Sequence, residues 1–307
     1  MAFSLGTLTA YVEQNKLPLL AKAVASPRSA KNMTIQTGCK GDTAINRIAT
    51  DAGLQYGSGC TFTASGDTTI SQRVIGAKHT FSHEALCVSS LEQYWMRQLM
   101  TAGAMAGAQD MPIEESYVNE KIRAIGVALE NAIWQNAGSS TQFTGLITTI
   151  GTSGSTGCVD GNTSNTATFT TANALASVDE LYTNTPSALL DKEDLQLFMG
   201  YDWFRIYTQA LRTANLYAFA PTGSFEGDFY HPATNMKIVP VAGLTGQNKM
   251  YAGLKSNFIY GVDLESDNET FELYYDKSDR NFKFVWEANI GAQVAFIDQV
   301  VEYHLGA

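Results

Sequence analysis

The chain has 307 residues, of which 45% are hydrophobic and only 16% charged, with a net charge of −10. This length suits one large domain or two lobes sharing a core, and the acidic balance argues against wrapping nucleic acid by broad phosphate neutralisation, though not against a wall facing packaged DNA. The four cysteines, Cys39, Cys60, Cys87 and Cys158, form no CxxC pair, so they fit neither a zinc ribbon nor a dense disulfide framework and read as reduced, largely buried thiols of a chain made in the cytoplasm.

Charged residues fall well under the roughly 25% usual in soluble chains. Two readings stand side by side: surface meant for burial against other chains, or a quiet surface of Ser, Thr, Asn and Gln. The N-terminus, Met1-Ala2-Phe3-Ser4-Leu5, lacks the basic region of a secretory signal. No apolar run approaches the ~20 residues that span a bilayer. Leu17 to Ala25 is interrupted by Pro18 and Lys22, so no membrane partner is expected.

Residues 3 to 26 read as a helical arm in which Leu5, Leu8, Val12, Leu19 and Leu20 recur at helical intervals, with a kink at Pro18. From Asn32 to Phe81 the texture turns to Thr, Gly and Ser. Cys60–Ala64 and Thr69–Ile75 alternate on either side of Ser65-Gly66-Asp67, which predicts a long β-hairpin with its turn there. It is polar and poor in large apolar residues, and two strands alone are marginal in water, so it needs a supporting surface in this chain or a neighbour. Ser90 to Met100 reads as helical. A long helix then opens at Met111-Pro112-Ile113-Glu114-Glu115, with Pro in the first turn and acids at the positive end of the dipole. Val118, Ile122, Ile125, Leu129, Ala132 and Ile133 give it an apolar stripe, and Gly138-Ser139-Ser140 ends it. It reads as a spine.

Beyond it come Phe143-Thr144-Gly145-Leu146-Ile147, a loop from 151 to 166 and a helix from Thr171 through Leu181. Leu195–Gly200 is a buried strand running into a helix, Tyr201–Ala214, with Trp203, Ile206, Tyr207 and Leu211 on one face. Tyr217 to Pro232 is a loop. Strands follow at Met236–Val241, Asn257–Val262 and Thr270–Tyr275, and a final pair at Phe282–Ile290 and Ala292–Tyr303. No repeat of ~20–50 residues is visible.

Motifs that carry chemistry are sparse. There is no phosphate-binding GxxxxGK[ST] loop, no GxGxxG and no GxSxG, and Gly57-Ser58-Gly59 lacks the third glycine and following helix of a dinucleotide site. His79 and His83, four apart, could share a zinc ion only on a helix, whereas His79 reads as the end of one strand and His83 as the start of the next element. The acidic string Asp263, Glu265, Asp267, Glu269 lacks the central Gly and terminal acid of a calcium loop and reads as a solvated turn. His231 and His304 have no local partner. Neither a catalytic site nor a metal or cofactor site is expected.

The order of elements carries more than any motif. The end of the spine, Ala128-Leu129-Glu130-Asn131-Ala132-Ile133-Trp134-Gln135-Asn136-Ala137 followed by Phe143-Thr144-Gly145-Leu146, the strand-then-helix at Leu197-Phe198-Met199-Gly200, and the close from Phe282 to Tyr303 resemble the major capsid proteins of tailed phages. Their α+β fold, the Hong Kong 97 phage type, is shared with encapsulin nanocompartments, and the resemblance implies a strand starting at Gly145-Leu146. The resemblance implies an N-terminal arm at 1–50, an extended hairpin loop at 51–81, a peripheral domain with the spine at 82–144, an axial domain at 145–253 and peripheral return strands at 254–307. It implies self-assembly into hexamers and pentamers of an icosahedral shell around double-stranded DNA, with portal and scaffolding proteins as partners and the virion as location. The assembly interface would involve Leu5, Leu8 and Val12 of the arm, Ser65, Gly66 and Asp67 at the hairpin tip, and Arg73 and Lys78 along it. No long acidic or coiled extension that would act as a fused scaffold is visible, and the start at Met1 is read as no scaffold region having been cleaved, so a separate scaffolding protein is expected. Lys78 and the C-terminal asparagines offer cross-linking groups, but the sequence places no such pair. The alternatives are an encapsulin-type cargo shell, a tail or other virion protein, and a soluble α+β hydrolase using acids with His83 or His231.

Overall fold

The computed structural model describes residues 27–51, 53–54, 64–87, 113–152, 157–214, 229–263, 270–279 and 281–306. Arm positions Leu5, Leu8 and Val12, Gly57-Ser58-Gly59, residues 60–63 of the Cys60–Ala64 run and the Ser90–Met100 stretch lie outside these residues.

The spine is helix α2 (Ile113–Gln135), 23 residues or about 35 Å long at ~1.5 Å per residue. A short helix, α1 (Arg28–Lys31), packs against it near its C-terminal end, where Ser29 meets Glu130 and Trp134. The stripe read from the sequence is the buried one: Val118, Ile122, Ile125, Leu129 and Ile133 are all 6% exposed or less. The stripe lies on a five-stranded sheet of β1 (Thr34–Gln36), β4 (Lys78–Cys87), β10 (Phe258–Val262), β11 (Thr270–Asp276) and β12 (Asn281–Val294). Period-2 alternation makes this sheet two-faced. Phe282, Phe284, Trp286 and Ala288 of β12, with Phe271 and Leu273 of β11, point into the core under the helix.

A second, six-stranded sheet has the order β5 (Val159–Asp160), β13 (Val301–His304), β9 (Lys249–Leu254), β6 (Leu195–Gly200), β8 (Lys237–Val241) and β7 (Phe229–Tyr230). Every residue of β6 is buried, as a continuous apolar run in a central strand requires. Helices α4 (Ala174–Asn184) and α6 (Tyr201–Thr213) cover the sheet, burying Val178, Leu181, Trp203, Phe204, Tyr207, Ala210 and Leu211. Ile206, expected on that face, is half-buried. Trp134 ties the spine to this second sheet: its indole stacks on Tyr251 of β9 at 5.8 Å and contacts Phe198 of β6 at 5.3 Å between centroids.

Three expectations about strands are corrected. The strand Thr68–Gly76 (β3) pairs with Asp42–Thr50 (β2), with the register running from Asp42 opposite Gly76 to Thr50 opposite Thr68; of the partner run expected from the sequence, residues 60–63 lie outside the described residues. The ribbon thus begins at Asp42, within the span read as arm. In sequence the nearest alternating run lies just before Ser65, while the strand that pairs lies across residues 51–67. Second, Leu146–Ile150 is a short helix (α3) after Gly145. Gly145 N–H donates to the Asn136 carbonyl at 2.8 Å, which turns the chain back along the spine's end. Third, Phe282–Tyr303 is not a hairpin. β12 runs unbroken through Gly291, and β13 crosses to the six-stranded sheet to pair with β9 and β5. Gly291 serves close approach and not a turn: a Cβ there would sit 2.7 Å from Ile75 Cγ2.

Candidate assembly surfaces

The β2–β3 ribbon has an inward and an outward face. Inward lie Thr43, Ile45 and Arg47 on β2 and Arg73 and Ile75 on β3. Ile75, fully buried, is the root. It enters a slot in the five-stranded sheet where Gly261 and Gly291 are paired in register, and a Cβ on Gly261 would lie 3.1 Å from its Cγ2. Cys39, Ala77, Ile259 and Ala295 close around it. Arg47 forms a fork to Asp298, both N···O distances 2.8 Å, and its guanidinium lies 4.9 Å from the Phe296 ring centroid. Gln293 Nε2 donates to the Val74 carbonyl at 2.8 Å. The ribbon is therefore held at its base and along one side by its own chain.

The outward face carries Ala44, Asn46 and Ile48 opposite Val74, Gln72 and Ile70. Ile48 is 67% and Ile70 74% exposed, and Val74 is also exposed. Only the middle pair is polar, with Gln72 Nε2 donating to Asn46 Oδ1 at 3.0 Å. The cross-strand isoleucine pair leaves large apolar side chains open to water, which makes this face a candidate contact surface.

The expected interface residues fall in different places. Ser65, Gly66 and Asp67 are exposed and sit at the end of the ribbon, where Asp51 N–H donates to the Asp67 carbonyl at 2.9 Å. Arg73 points inward; it is half-buried, burial lowers its guanidinium's proton affinity, and its Nη1 has no hydrogen-bond partner among the described residues. Lys78 begins β4, opposite Ile290, and is half-buried.

β4 holds a second outward patch. His79 and His83 lie on one strand, not on two elements, so alternation places them on the same face with Phe81 between them. Phe81 is 61% exposed, and its ring centroid lies 5.9 Å from His79 and 4.9 Å from His83. Glu287, in register with Phe81, sets its Oε1 3.0 Å from His83 Nε2 and its Oε2 3.8 Å from His79 Nε2. The imidazoles thus meet a carboxylate, and among the described residues no group of three His, Cys, Asp or Glu side chains is placed to hold a metal ion. On the sheet's other face Glu84 accepts a hydrogen bond from Tyr117 Oη at 3.1 Å and pairs with Lys121, fixing β4 to the spine.

Of the remaining candidates, His231 is 4% exposed and lies between Tyr207 Oη (2.6 Å from Nδ1) and Asp179 Oδ1 (2.7 Å from Nε2). Tyr207 is fully buried, and burial pushes its phenol up, so this chain of bonds ties α6 to α4 and ends inside the core. Asp263, read as part of a solvated turn, is instead fully buried with its N–H on the Asn289 carbonyl at 3.3 Å; Glu265, Asp267 and Glu269 lie outside the described residues. The sequence reading missed Ile48, Ile70 and Phe81. Their signal was the strict alternation of Asp42–Thr50 and Lys78–Cys87, which becomes meaningful once each strand's partner is known. Among the described residues no helix is long and apolar enough to cross a membrane.

No protein-family model and no curated protein matches the sequence. Solved structures do match, over nearly the whole chain. A chain from Gordonia phage Cozz has 10% identity, 91% of this chain and 86% of that one covered, and a TM-score of 0.59. A chain of the satellite phage P4 procapsid including size determination (Sid) protein has 11% identity, 94% and 99% coverage, and a TM-score of 0.58. The virus-like particle from Pyrococcus furiosus has 10% identity, 96% and 99% coverage, and a TM-score of 0.53. Identities this low speak to architecture, and the architecture is that of phage and virus-like-particle shell subunits: the chain has the Hong Kong 97-type capsid fold.

Proposed function

We propose that this chain is the major capsid protein of a tailed phage, many copies of which close into an icosahedral shell around double-stranded DNA. The observation that carries the reading is the ribbon: rooted in its own sheet by Ile75, it presents Ile48, Ile70 and Val74 outward with nothing of the described chain over them. The full-length likeness to capsid structures supports it. In this reading the ribbon lies over an adjacent subunit, with Ser65-Gly66-Asp67 near its far end, the arm residues Leu5, Leu8 and Val12 bury their stripe on a neighbour, and the six-stranded sheet with α4 and α6 forms the axial domain. Individual contacts are modest and their sum is large, because closed symmetry repeats them. Hexamers and pentamers, a portal, a separate scaffolding protein and non-specific DNA are the partners, and the virion is the location.

Size-exclusion chromatography with negative-stain microscopy of the purified full chain tests the class. Rings, sheets or shells tens of nanometres across are expected; a monodisperse monomer or dimer across salt and pH would overturn it. Nuclease digestion of particles then separates a DNA-filled capsid from an encapsulin-type cargo shell, which would contain protein and no protected DNA.

A further inference from the structure

Away from the ribbon, β4 is the open edge of the five-stranded sheet. β12 pairs with one side of it in an unbroken register, from Lys78 opposite Ile290 to Cys87 opposite Asn281. Among the described residues no strand pairs with its other side. The backbone N–H and C=O groups on that side are a template for another strand. Proteins blunt such edges by shortness, bulges, proline or outward charge, and β4 uses none of these. It has ten residues, its register leaves no bulge, and its outward side chains are His79, Phe81, His83, Ala85 and Cys87. The other edges of the two sheets are protected: β1, β5 and β7 have two or three residues, and β11 turns Glu272 outward. The chain's own ribbon cannot cover β4, because β3 runs into it with only Ala77 between them and so lies end to end with it.

The charges that β4 does carry, Lys78 and Glu84 on the spine side, are of opposite sign and select the occupant. Residues opposite each other across an antiparallel pair share a face. Laid against a copy of itself about Phe81, β4 sets Phe81 on Phe81, Thr80 on Ser82, His79 on His83 and Lys78 on Glu84. Aromatic, hydroxyl and opposite-charge pairs each favour strand pairing. Lys78 makes no ion pair among the described residues. Glu84 holds Tyr117 and Lys121 through Oε2, which leaves Oε1 for a second ammonium. The neighbouring registers lose the match: about Ser82, Lys78 meets Leu86, and about Thr80 it meets Ser82.

We propose that β4 pairs antiparallel with β4 of a second copy about a two-fold axis through Phe81, joining two five-stranded sheets into one. The axis stands perpendicular to the sheet, so both spine helices stay on one side and both outward faces on the other, as a wall with an inside and an outside requires. This contact joins like surfaces, whereas a ribbon lying on a neighbour joins unlike ones. It goes beyond the shell reading and holds for two copies alone.

Oxidation of the purified full chain, read on a non-reducing gel with the linked peptides identified by mass spectrometry, tests the contact and its register. Phe81 is 61% exposed, so Phe81→Cys leaves the core intact. It should give a covalent dimer linked at position 81 of both copies, since opposite Cβ atoms lie about 4.5–5.5 Å apart, near disulfide reach. His83→Cys, on the same exposed face, should give none, because the two 83 positions lie about 14 Å apart along the strands. His79→Cys and His83→Cys in one chain should link again, position 79 to position 83. Lys78→Glu sets like charges opposite each other twice per contact and should slow linkage of Phe81→Cys about tenfold. A Phe81→Cys chain that forms no dimer, linkage through His83→Cys alone, or a rate indifferent to Lys78→Glu would overturn the contact. The shell reading fails separately, on particle size: linkage at position 81 in a preparation of dimers alone would sustain this contact and sink the shell.

Discussion

Replacing Ile48 and Ile70 together by threonine, which keeps β-branching and adds no charge, separates the ribbon's role in assembly from its role in the fold. The two side chains face each other across β2 and β3 and are 67% and 74% exposed, so the single chain realises little of their burial energy. Fully burying an isoleucine is worth roughly 1.5–3 kcal/mol; with about two-thirds still unrealised, each has roughly 1–2 kcal/mol to contribute to a contact. The pair accounts for about 3 kcal/mol per ribbon contact, on the order of a hundredfold in its equilibrium constant. Two hydroxyls taken into the contact without partners would add to the loss. Exposed substitutions change stability by only about 0.5 kcal/mol, so the melting temperature of the subunit should shift by about 1–2 °C at most. Light scattering against protein concentration measures the assembly threshold, and thermal denaturation of dissociated subunit supplies the control. The threshold should rise by about a hundredfold while melting stays put. Assembly at the original threshold with unchanged melting would refute the reasoning, because the outward face would then be no contact at all.

Other substitutions probe the body. Phe284→Ala removes a side chain that is 1% exposed and edge-packed on Phe271 and Tyr117 at 5.4 and 6.3 Å; a loss of about 3–5 kcal/mol is expected in denaturant unfolding. Gly145→Ala would place a Cβ 2.7 Å from both the Asn136 nitrogen and the Trp134 carbonyl oxygen and should cost about 1–3 kcal/mol in the same assay. The turn joining β11 to β12 should resist acid. Its Asp276 is held well below the ordinary carboxylate range by the Lys283 ammonium, at 2.5 Å, and by Ser278. A carboxylate lowered in this way stabilises above its unfolded pKa and is lost only as pH falls through the folded one, so exchange protection of 273–284 should persist at pH 3 and fail earlier in Lys283→Met.

Elements whose partners are near in sequence, or whose periodicity is strong, were legible from the residues alone. The α2 stripe, the apolar run of β6 and the amphipathic α6 each carry their burial in their own pattern, because a helix face or a central strand is specified locally. Pairing was not legible. β2 has to find β3 across residues 51–67, and β13 has to leave β12 for the other sheet; neither choice is written in a strand's own alternation, only in the shape of its partner. Gly291 illustrates the point. In sequence a glycine between two apolar runs looks like a turn, yet its missing side chain makes room for Ile75 from 216 residues earlier. The surfaces behaved likewise. Ser65-Gly66-Asp67 lies exposed just before β3, Arg73 points inward and the exposed isoleucines point out, a division set by the register of two strands and by the slot that receives the root. Glu130 was visible only as one acid in an acidic-apolar stretch, since Ser29 reaches it through the fold.

A cryo-electron microscopy reconstruction of the purified, assembled chain tests the central claim most directly. The account predicts a closed or partial shell in which Ile48, Ile70 and Val74 of each ribbon are buried against a neighbouring copy while Ile75 remains in its own Gly261–Gly291 slot. Particles in which the outward ribbon face is open to solvent, or a preparation that yields only isolated subunits, would contradict it.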